Sequence, residues 1–528
     1  LMEVPVISTP EMHGKRYFYN RQEGGQAQPR YYVRDGLDGE ERLLLDPEAI
    51  DSSGLTAIDW TAPSADGRLM AFGLHKSGDE KTVLHVLDVA TGSWLAEEIP
   101  GRAGLLRWQP DGEGFYYARL EDVDDPYSTV VKLHKLGTHH RQDPVLFRQR
   151  DLEFFYGDSG KSEQELEVLR GTWGPSALIS RDNRWLAVYY WTGTDSLDVW
   201  AANLEDWHAR GELRLVPMVM GQRGRIGSFR FIDDRLYLQH SFAAANGRVS
   251  VIDMDRPAFE HWRDLVPESP DKVVAVVDFA RDVVAVDYMV NASTRIELFD
   301  YSGRPRGELE LPGIGSAGIS SAVDRNEAFL VFTSFNMPRS IYHLDLEKGE
   351  RELWARPEVP VDPDAITVEQ AWYPSRDGTR VSMFLVHRKG LERDGENPTI
   401  LYGYGGFDIS MTPAFNATLF PWFEAGGVYA VANLRGGGEY GDAWHEAGML
   451  ENKQNVFDDF IAAGEWLIEQ GYTSRERLGI AGGSNGGLLT GAAVVQRPEL
   501  FSAAISAVPL LDMLRYQDFL MARYWVPE

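Results

Sequence analysis

Ser484 lies in Gly482-Gly483-Ser484-Asn485-Gly486-Gly487, a setting from which a nucleophile would profit. Leu478-Gly479-Ile480-Ala481 before it reads as a short buried strand. The apolar, small-residue stretch from Leu488 to Val495 reads as a packed helix ending at Arg497-Pro498. Strand, sharp turn and helix form the context of a G-x-S-x-G nucleophile elbow. A serine at such a turn takes a strained backbone conformation, so the residues two positions away on either side must be small. Gly482 and Gly486 meet that demand. The turn lifts the hydroxyl above the sheet edge and aims the free N–H groups of the helix start at the same point. Phosphate-binding glycine loops fit less well. A dinucleotide fingerprint needs glycine where Ser484 stands, and a P-loop needs a lysine that does not follow.

A serine hydroxyl is inert at neutral pH unless a base takes its proton and donors stabilise the oxyanion that forms. The N–H of Asn485, next after the serine, is one natural donor. The second should come from the loop after the third strand of the sheet, here Tyr402-Gly403-Tyr404-Gly405-Gly406-Phe407. His445 follows a glycine-rich loop but is disfavoured as the base, because in this arrangement the histidine follows the serine. Asp512 and Asp518 follow Ser484 too closely to reach the far end of the sheet, and read as local structural carboxylates.

Alternating strands and helices must carry such an elbow. From Ile366 the chain alternates in that way, with strands at Thr399-Ile400-Leu401-Tyr402, at Gly427 to Asn433 and at Ala503 to Val508. Val456, Phe457, Phe460, Ile461, Ala463 and Leu467 fall at helical spacing before Gly471. The expectation is a parallel, doubly wound sheet over residues 361–528.

Residues 1–360 read differently. Seven strand signals recur, at Lys15–Tyr19, Arg68–Phe72, Gly114–Tyr117, Arg184–Val188, Arg235–Leu238, Asp282–Val286 and Ala328–Phe332. Most are spaced at the ~40–50 residues expected of a four-stranded propeller blade. Later strands end alike, as in His85-Val86-Leu87-Asp88 and Tyr342-His343-Leu344-Asp345. Charged stretches from Glu121 to Asp125 and from Asp158 to Glu167 fill the widest gap and read as inserted loops. One or two β-sandwiches would not repeat a unit seven times. A proline-rich linker, Pro357 to Pro363, separates the two regions.

Composition narrows the class. The 528 residues carry 43% hydrophobic and 25% charged side chains, with no apolar run long enough for a membrane span. A net charge of -28 repels phosphate backbones and argues against nucleic acid. Zero cysteines exclude disulfides and thiolate chemistry. His139-His140, the one adjacent histidine pair, sits in a polar segment and reads as a solvated loop; no metal and no cofactor is expected. No signal peptide is visible at the start. With the missing cysteines this suggests the cytoplasm, or a periplasm if a leader was removed. A monomer is expected.

The segments Leu401 to Phe407, Ala432 to Gly441, Asn452-Lys453-Gln454-Asn455 and Gly482 to Gly487 together resemble the prolyl oligopeptidase family of serine peptidases. The resemblance implies a seven-bladed β-propeller followed by an α/β-hydrolase domain that is incomplete at its C-terminus. It implies cleavage of short peptides on the carboxyl side of proline through an acyl-enzyme on Ser484, with the propeller excluding large folded substrates. Tyr404 resembles the tyrosine that completes the oxyanion hole with Asn485. Phe407 and Trp525 resemble aromatic walls of a proline pocket, with Leu510 and Met521 as further wall residues. A flat apolar slot suits a rigid ring that has no N–H.

The family's acid and histidine lie beyond the position corresponding to Glu528, and its N-terminal helical stretch lies before the first blade. The expectation is therefore a fragment of a longer enzyme, holding nucleophile and oxyanion hole without general base. On its own it would bind peptides and turn over poorly. Two other readings stay open at this point. One is a non-catalytic propeller binding module with a degenerate hydrolase half. The other is a sister peptidase of different specificity, such as an oligopeptidase B, acylaminoacyl-peptidase or dipeptidyl-peptidase type.

Overall fold

The computed structural model describes residues 4–157, 159–172, 174–192, 196–519, 522, 525, 526 and 528. Seven consecutive antiparallel sheets come first, each built from adjacent segments of the chain. Blade 5 is representative: Ile226–Ile232, Arg235–His240, Arg248–Asp253 and Arg263–Val266 pair in sequence order. Six of the seven sequence signals are the second strands of their blades, and the first falls on Arg16–Gln22, third in chain order in a five-stranded first blade. These are the strands buried on both faces, such as Leu69–Lys76 and Trp185–Trp191, so they read as continuous apolar runs. First strands are harder to see, because they combine apolar and polar positions; all six residues of Ser316–Ser321 are only half-buried. Some fourth strands are largely exposed, as in Pro305–Leu309.

The interiors of neighbouring blades pack into shared apolar clusters. One joins Leu186, Val188 and Trp200 of blade 4 to Tyr116 and Val131 of blade 3. That cluster also takes Leu152, Phe155, Tyr156 and Leu169 from the segment between the two blades. The expectation of a second inserted loop there is corrected. Glu163–Arg170 is a helix, started by a capping box in which Ser162 and Glu165 satisfy each other's backbone N–H groups. Leu169 is buried beneath it, so the charged run is one solvated face of a helix. Glu121 to Asp125 does form turns.

The last propeller strand ends at Ala355, and a six-stranded sheet begins at Ile366. Its strands are β1 (Ile366–Pro374), β2 (Arg380–Arg388), β3 (Thr399–Tyr402), β4 (Val428–Asn433), β5 (Leu478–Gly483) and β6 (Ala503–Ala507). Between them lie α1 (Asp442–Glu446), α2 (Gln454–Glu469) and α3 (Asn485–Gln496). The strand order is β1-β2-β4-β3-β5-β6. A wholly parallel sheet was the expectation, and this is corrected: β3, β4, β5 and β6 run parallel, while β1 and β2 form an antiparallel hairpin that continues antiparallel onto β4. The short polar turn Ser375–Thr379 joins β1 to β2 without a helix, which only antiparallel neighbours permit.

Phe460, Ala463 and Leu467 of α2 pack on Leu401, Ala430 and Ile480 of the sheet, which positions β3 and β5 side by side. Among the described residues β6 forms the sheet edge and is exposed along all five residues, with Ile505 63% exposed. Among the described residues no helix is long and apolar enough to cross a membrane.

Candidate active site

β5 ends at Gly483 and α3 begins at Asn485, so Ser484 must turn the chain within one residue. It does so at φ +57° and ψ −117°, a strained combination for a residue with a Cβ. Its N–H donates to Ala507 O at 2.9 Å, and its carbonyl accepts from Gly487 at 2.9 Å and Leu488 at 3.2 Å. The backbone is thus held on both sides while the residue itself stays exposed. The glycine requirement is steric. A Cβ on Gly482 would lie 2.2 Å from Gly486 O, and one on Gly486 would lie 2.6 Å from Gly403 O.

β3 delivers the Tyr404 loop next to the elbow, because β3 and β5 are hydrogen-bonded neighbours. The Tyr404 phenol lies close enough to Ser484 to feel its side chain. Burial pushes the Tyr404 phenol above its ordinary pKa, and nearby Ser484 pulls it only partly back, so it remains an O–H donor at neutral pH. Asn485 Nδ2 donates to Tyr404 O at 2.7 Å, and Lys453 Nζ donates to Gly405 O at 3.2 Å. As the first residue of α3, Asn485 has an N–H with no intrahelical acceptor. The two candidate oxyanion donors therefore stand beside one hydroxyl.

The loop then turns sharply. Phe407 and Asp408 both have positive φ, +56° and +57°. Phe407 N–H donates to the Glu528 carboxylate, and Asp408 N–H donates to Gly436 O at 3.1 Å. This presents the Phe407 ring edge-on to Trp525, with centroids 6.0 Å apart and planes at 81°. The two rings make a partly open apolar corner, with Trp525 37% exposed. Leu510 is half-buried in the segment after β6. Met521 lies outside the described residues.

Below the loop, Arg435 is 4% exposed and Asp459 fully buried, and they are joined by a double contact of 2.5 Å and 3.0 Å. Asp459 also accepts from Arg435 N–H at 3.1 Å and from Ser375 Oγ at 2.5 Å. This pair anchors the glycine-rich segment after β4 to α2. Glu439 on the same segment is 1% exposed, accepts from Met411 N–H at 2.8 Å, and has no partner for Oε2 among the described residues. Burial pushes its carboxyl up to about 7.

His445 is a loop fastener. Its Nδ1 lies 2.8 Å from Gly436 O and its Nε2 lies 3.4 Å from the Glu528 carboxylate. Burial alone would lower its pKa, but the Glu528 carboxylate and the Gly436 carbonyl together outweigh this and hold it above the ordinary value. Asp512 pairs with Arg515 at 2.9 Å, and Asp518 closes a short turn, so both are local. Sequence reasoning assigned no role to Lys453, Glu528 or Arg225. Lys453 stands in one of the segments that carried the resemblance, but its contact with the Tyr404 loop depends on how α2 docks.

Comparison with known proteins fits this geometry. Residues 1–357 match the description "Prolyl oligopeptidase, N-terminal beta-propeller domain" and residues 413–527 match "Prolyl oligopeptidase family". The chain belongs to the prolyl oligopeptidase family. Prolyl endopeptidase from Elizabethkingia miricola is 33% identical over 98% of this chain and 71% of its own length. The enzyme of the same name from Elizabethkingia meningoseptica is 32% identical over the same shares.

Among solved structures, a chain from "Structural and Mechanistic Analysis of Two Prolyl Endopeptidases" superposes with a TM-score of 0.88. It is 40% identical, and the match covers all of this chain and 76% of that one. Prolyl oligopeptidase B from Galerina marginata superposes with a TM-score of 0.87 at 25% identity, over all of this chain and 75% of that one. Membership of the prolyl oligopeptidase family makes Ser484 part of a serine peptidase fold. It also disfavours the reading as a mere propeller binding module.

Proposed function

We propose that this chain carries the nucleophile and oxyanion hole of a serine oligopeptidase that cuts short peptides after proline. The observation that carries the reading is Ser484 at a strained, exposed turn, with the Tyr404 loop held beside it by the Asn485 side chain. In the proposed reaction Ser484 Oγ attacks the carbonyl carbon of the proline residue. The carbonyl oxygen gains negative charge and is held by Tyr404 O–H and Asn485 N–H. Collapse of the tetrahedral intermediate releases the amine and leaves an acyl-enzyme, which water then hydrolyses.

Phe407 and Trp525 would flank the pyrrolidine ring, an apolar body with no donor to satisfy. Leu510 and Met521 are proposed as further walls. Attack requires a base that accepts the Ser484 proton and returns it to the leaving amine, in this chemistry a histidine oriented by an acid. A monomer is proposed, in the cytoplasm on the lack of cysteines in the sequence, with a periplasm as the alternative.

The test uses the full natural polypeptide. Treatment with an aldehyde or phosphonate proline mimic should modify Ser484, read by mass spectrometry of the digested protein, and Ser484→Ala should abolish it. Peptides differing only in Pro, Arg or Leu before the scissile bond should be cut at proline. Cleavage after arginine would sink the specificity, and unlabelled Ser484 in active protein would sink the mechanism.

A further inference from the structure

Arg225 stands where blade 5 meets the hydrolase domain, immediately before the inner strand Ile226–Ile232. Its backbone is fixed to the blade: Arg225 N–H donates to Ser241 Oγ at 2.9 Å, and its carbonyl accepts from Ser241 N–H at 3.0 Å. Its guanidinium crosses the domain boundary. One terminal nitrogen meets the Asp408 carboxylate and the other meets Asp442. Asp442 N–H also donates to Ala245 O of blade 5 at 3.0 Å, so both domains close on this point. A cavity of about 360 Å³ lies beside it, bordered by Arg225, Asp408, Asp442, His445 and Phe407.

The two carboxylates are not equivalent. Asp442 opens α1, whereas Asp408 is the residue after Phe407 and shares its positive φ. Two consecutive non-glycine residues in the left-handed region persist only where their surroundings over-determine them. Within the hydrolase domain, Phe407 and Asp408 are held through backbone N–H groups, by Glu528 and Gly436. The side chain of Asp408 is held by the propeller.

We propose that Arg225 is a positioning residue for the proline pocket: by clamping Asp408 when the domains close, it fixes the Phe407 ring against Trp525. The proposal rests on Phe407 lining that pocket, as read above. It makes pocket shape depend on domain closure, and by linkage a bound proline ring favours closure. Side chains of the three clamp residues are about a third exposed or less (33%, 27% and 30%), so salt should weaken the clamp measurably.

The test uses the full natural polypeptide and substrates identical except for Pro or Ala before the scissile bond. Arg225→Met should lower the Pro-to-Ala ratio of kcat/KM by about tenfold, equivalent to about 1.4 kcal/mol. Arg225→Lys should recover part of that loss, with melting temperature and Ser484 labelling by a small fluorophosphonate retained. Asp408→Asn should reproduce the loss and be non-additive with Arg225→Met. Asp442→Asn should shift the ratio less. Equal loss on Pro and Ala substrates, additive Arg225 and Asp408 effects, or equal effects of Asp408→Asn and Asp442→Asn would overturn the proposal. A wild-type protein that shows no proline preference would instead overturn the functional reading beneath it.

Discussion

Asn485 donates its side-chain amide to the carbonyl of Tyr404 at 2.7 Å, tying the residue after Ser484 to the loop that carries the Tyr404 phenol. One residue thus serves the site twice. In the proposed reaction its backbone N–H is one oxyanion donor, while its side chain holds the loop that carries the other, Tyr404. The buried Asn485 and the strained Ser484 are adjacent in sequence, so the elbow and the oxyanion loop form a single rigid unit.

Removing the phenol oxygen tests the hole without disturbing the loop. Tyr404→Phe keeps the ring and the Asn485 contact, so the fold and KM should change little. Loss of one oxyanion donor should lower kcat by about 10²–10³-fold. Steady-state kinetics on a proline substrate with the full natural polypeptide would check this; an unchanged kcat would remove Tyr404 from the oxyanion hole.

Elbow sterics make a second expectation. In Gly482→Ala the added Cβ would fall 2.2 Å from the Gly486 carbonyl, which is backbone and has no rotamer by which to escape. The turn must open, so Ser484 labelling by a fluorophosphonate should be lost and the melting temperature should drop. Gly426→Ala is a control of a different kind: no atom lies near its Cβ, although its positive φ of +84° still strains an alanine. It should destabilise mildly and leave labelling intact.

Glu439 should give stability an unusual pH dependence. Burial raises its folded-state pKa from 4.5 to about 7, so between those values the folded protein holds a proton that the unfolded chain has lost. Stability from this group is therefore full below about pH 4.5 and falls as pH rises towards 7, by about 3 kcal/mol in total. Glu439→Gln, which cannot ionise, should flatten that part of a denaturant-midpoint profile between pH 5 and 7.5. An identical slope in wild type and variant would assign the effect elsewhere.

Much of the architecture could be read before any coordinates. The second strands of the blades announced themselves because both their faces are buried, as in Leu69–Lys76. First strands such as Ser316–Ser321 and outer strands such as Pro305–Leu309 carried weaker patterns, since one side or both meet solvent. The run around Glu163 looked like a loop because its apolar contribution is a single stripe anchored by Leu169. The β1–β2 hairpin was misread as part of a parallel sheet because strand patterns record burial and say little about direction.

What the chain alone determined is the local chemistry. A serine two residues from glycines on both sides, between a strand and a helix, admits few backbone paths, and steric exclusion acts over five residues. Tertiary structure decided everything that depends on distant partners. Arg225 and Asp442 lie 217 positions apart, and nothing in either neighbourhood marks them as a pair. Their meeting follows from where the start of α1 comes to rest against blade 5. Likewise Phe407 and Trp525 were recognisable as aromatic candidates, but their edge-to-face corner exists only because two left-handed residues are held open by contacts from elsewhere in the fold. Short-range sterics are written in adjacent residues; long-range electrostatics and ring packing are set by where the folded elements come to rest.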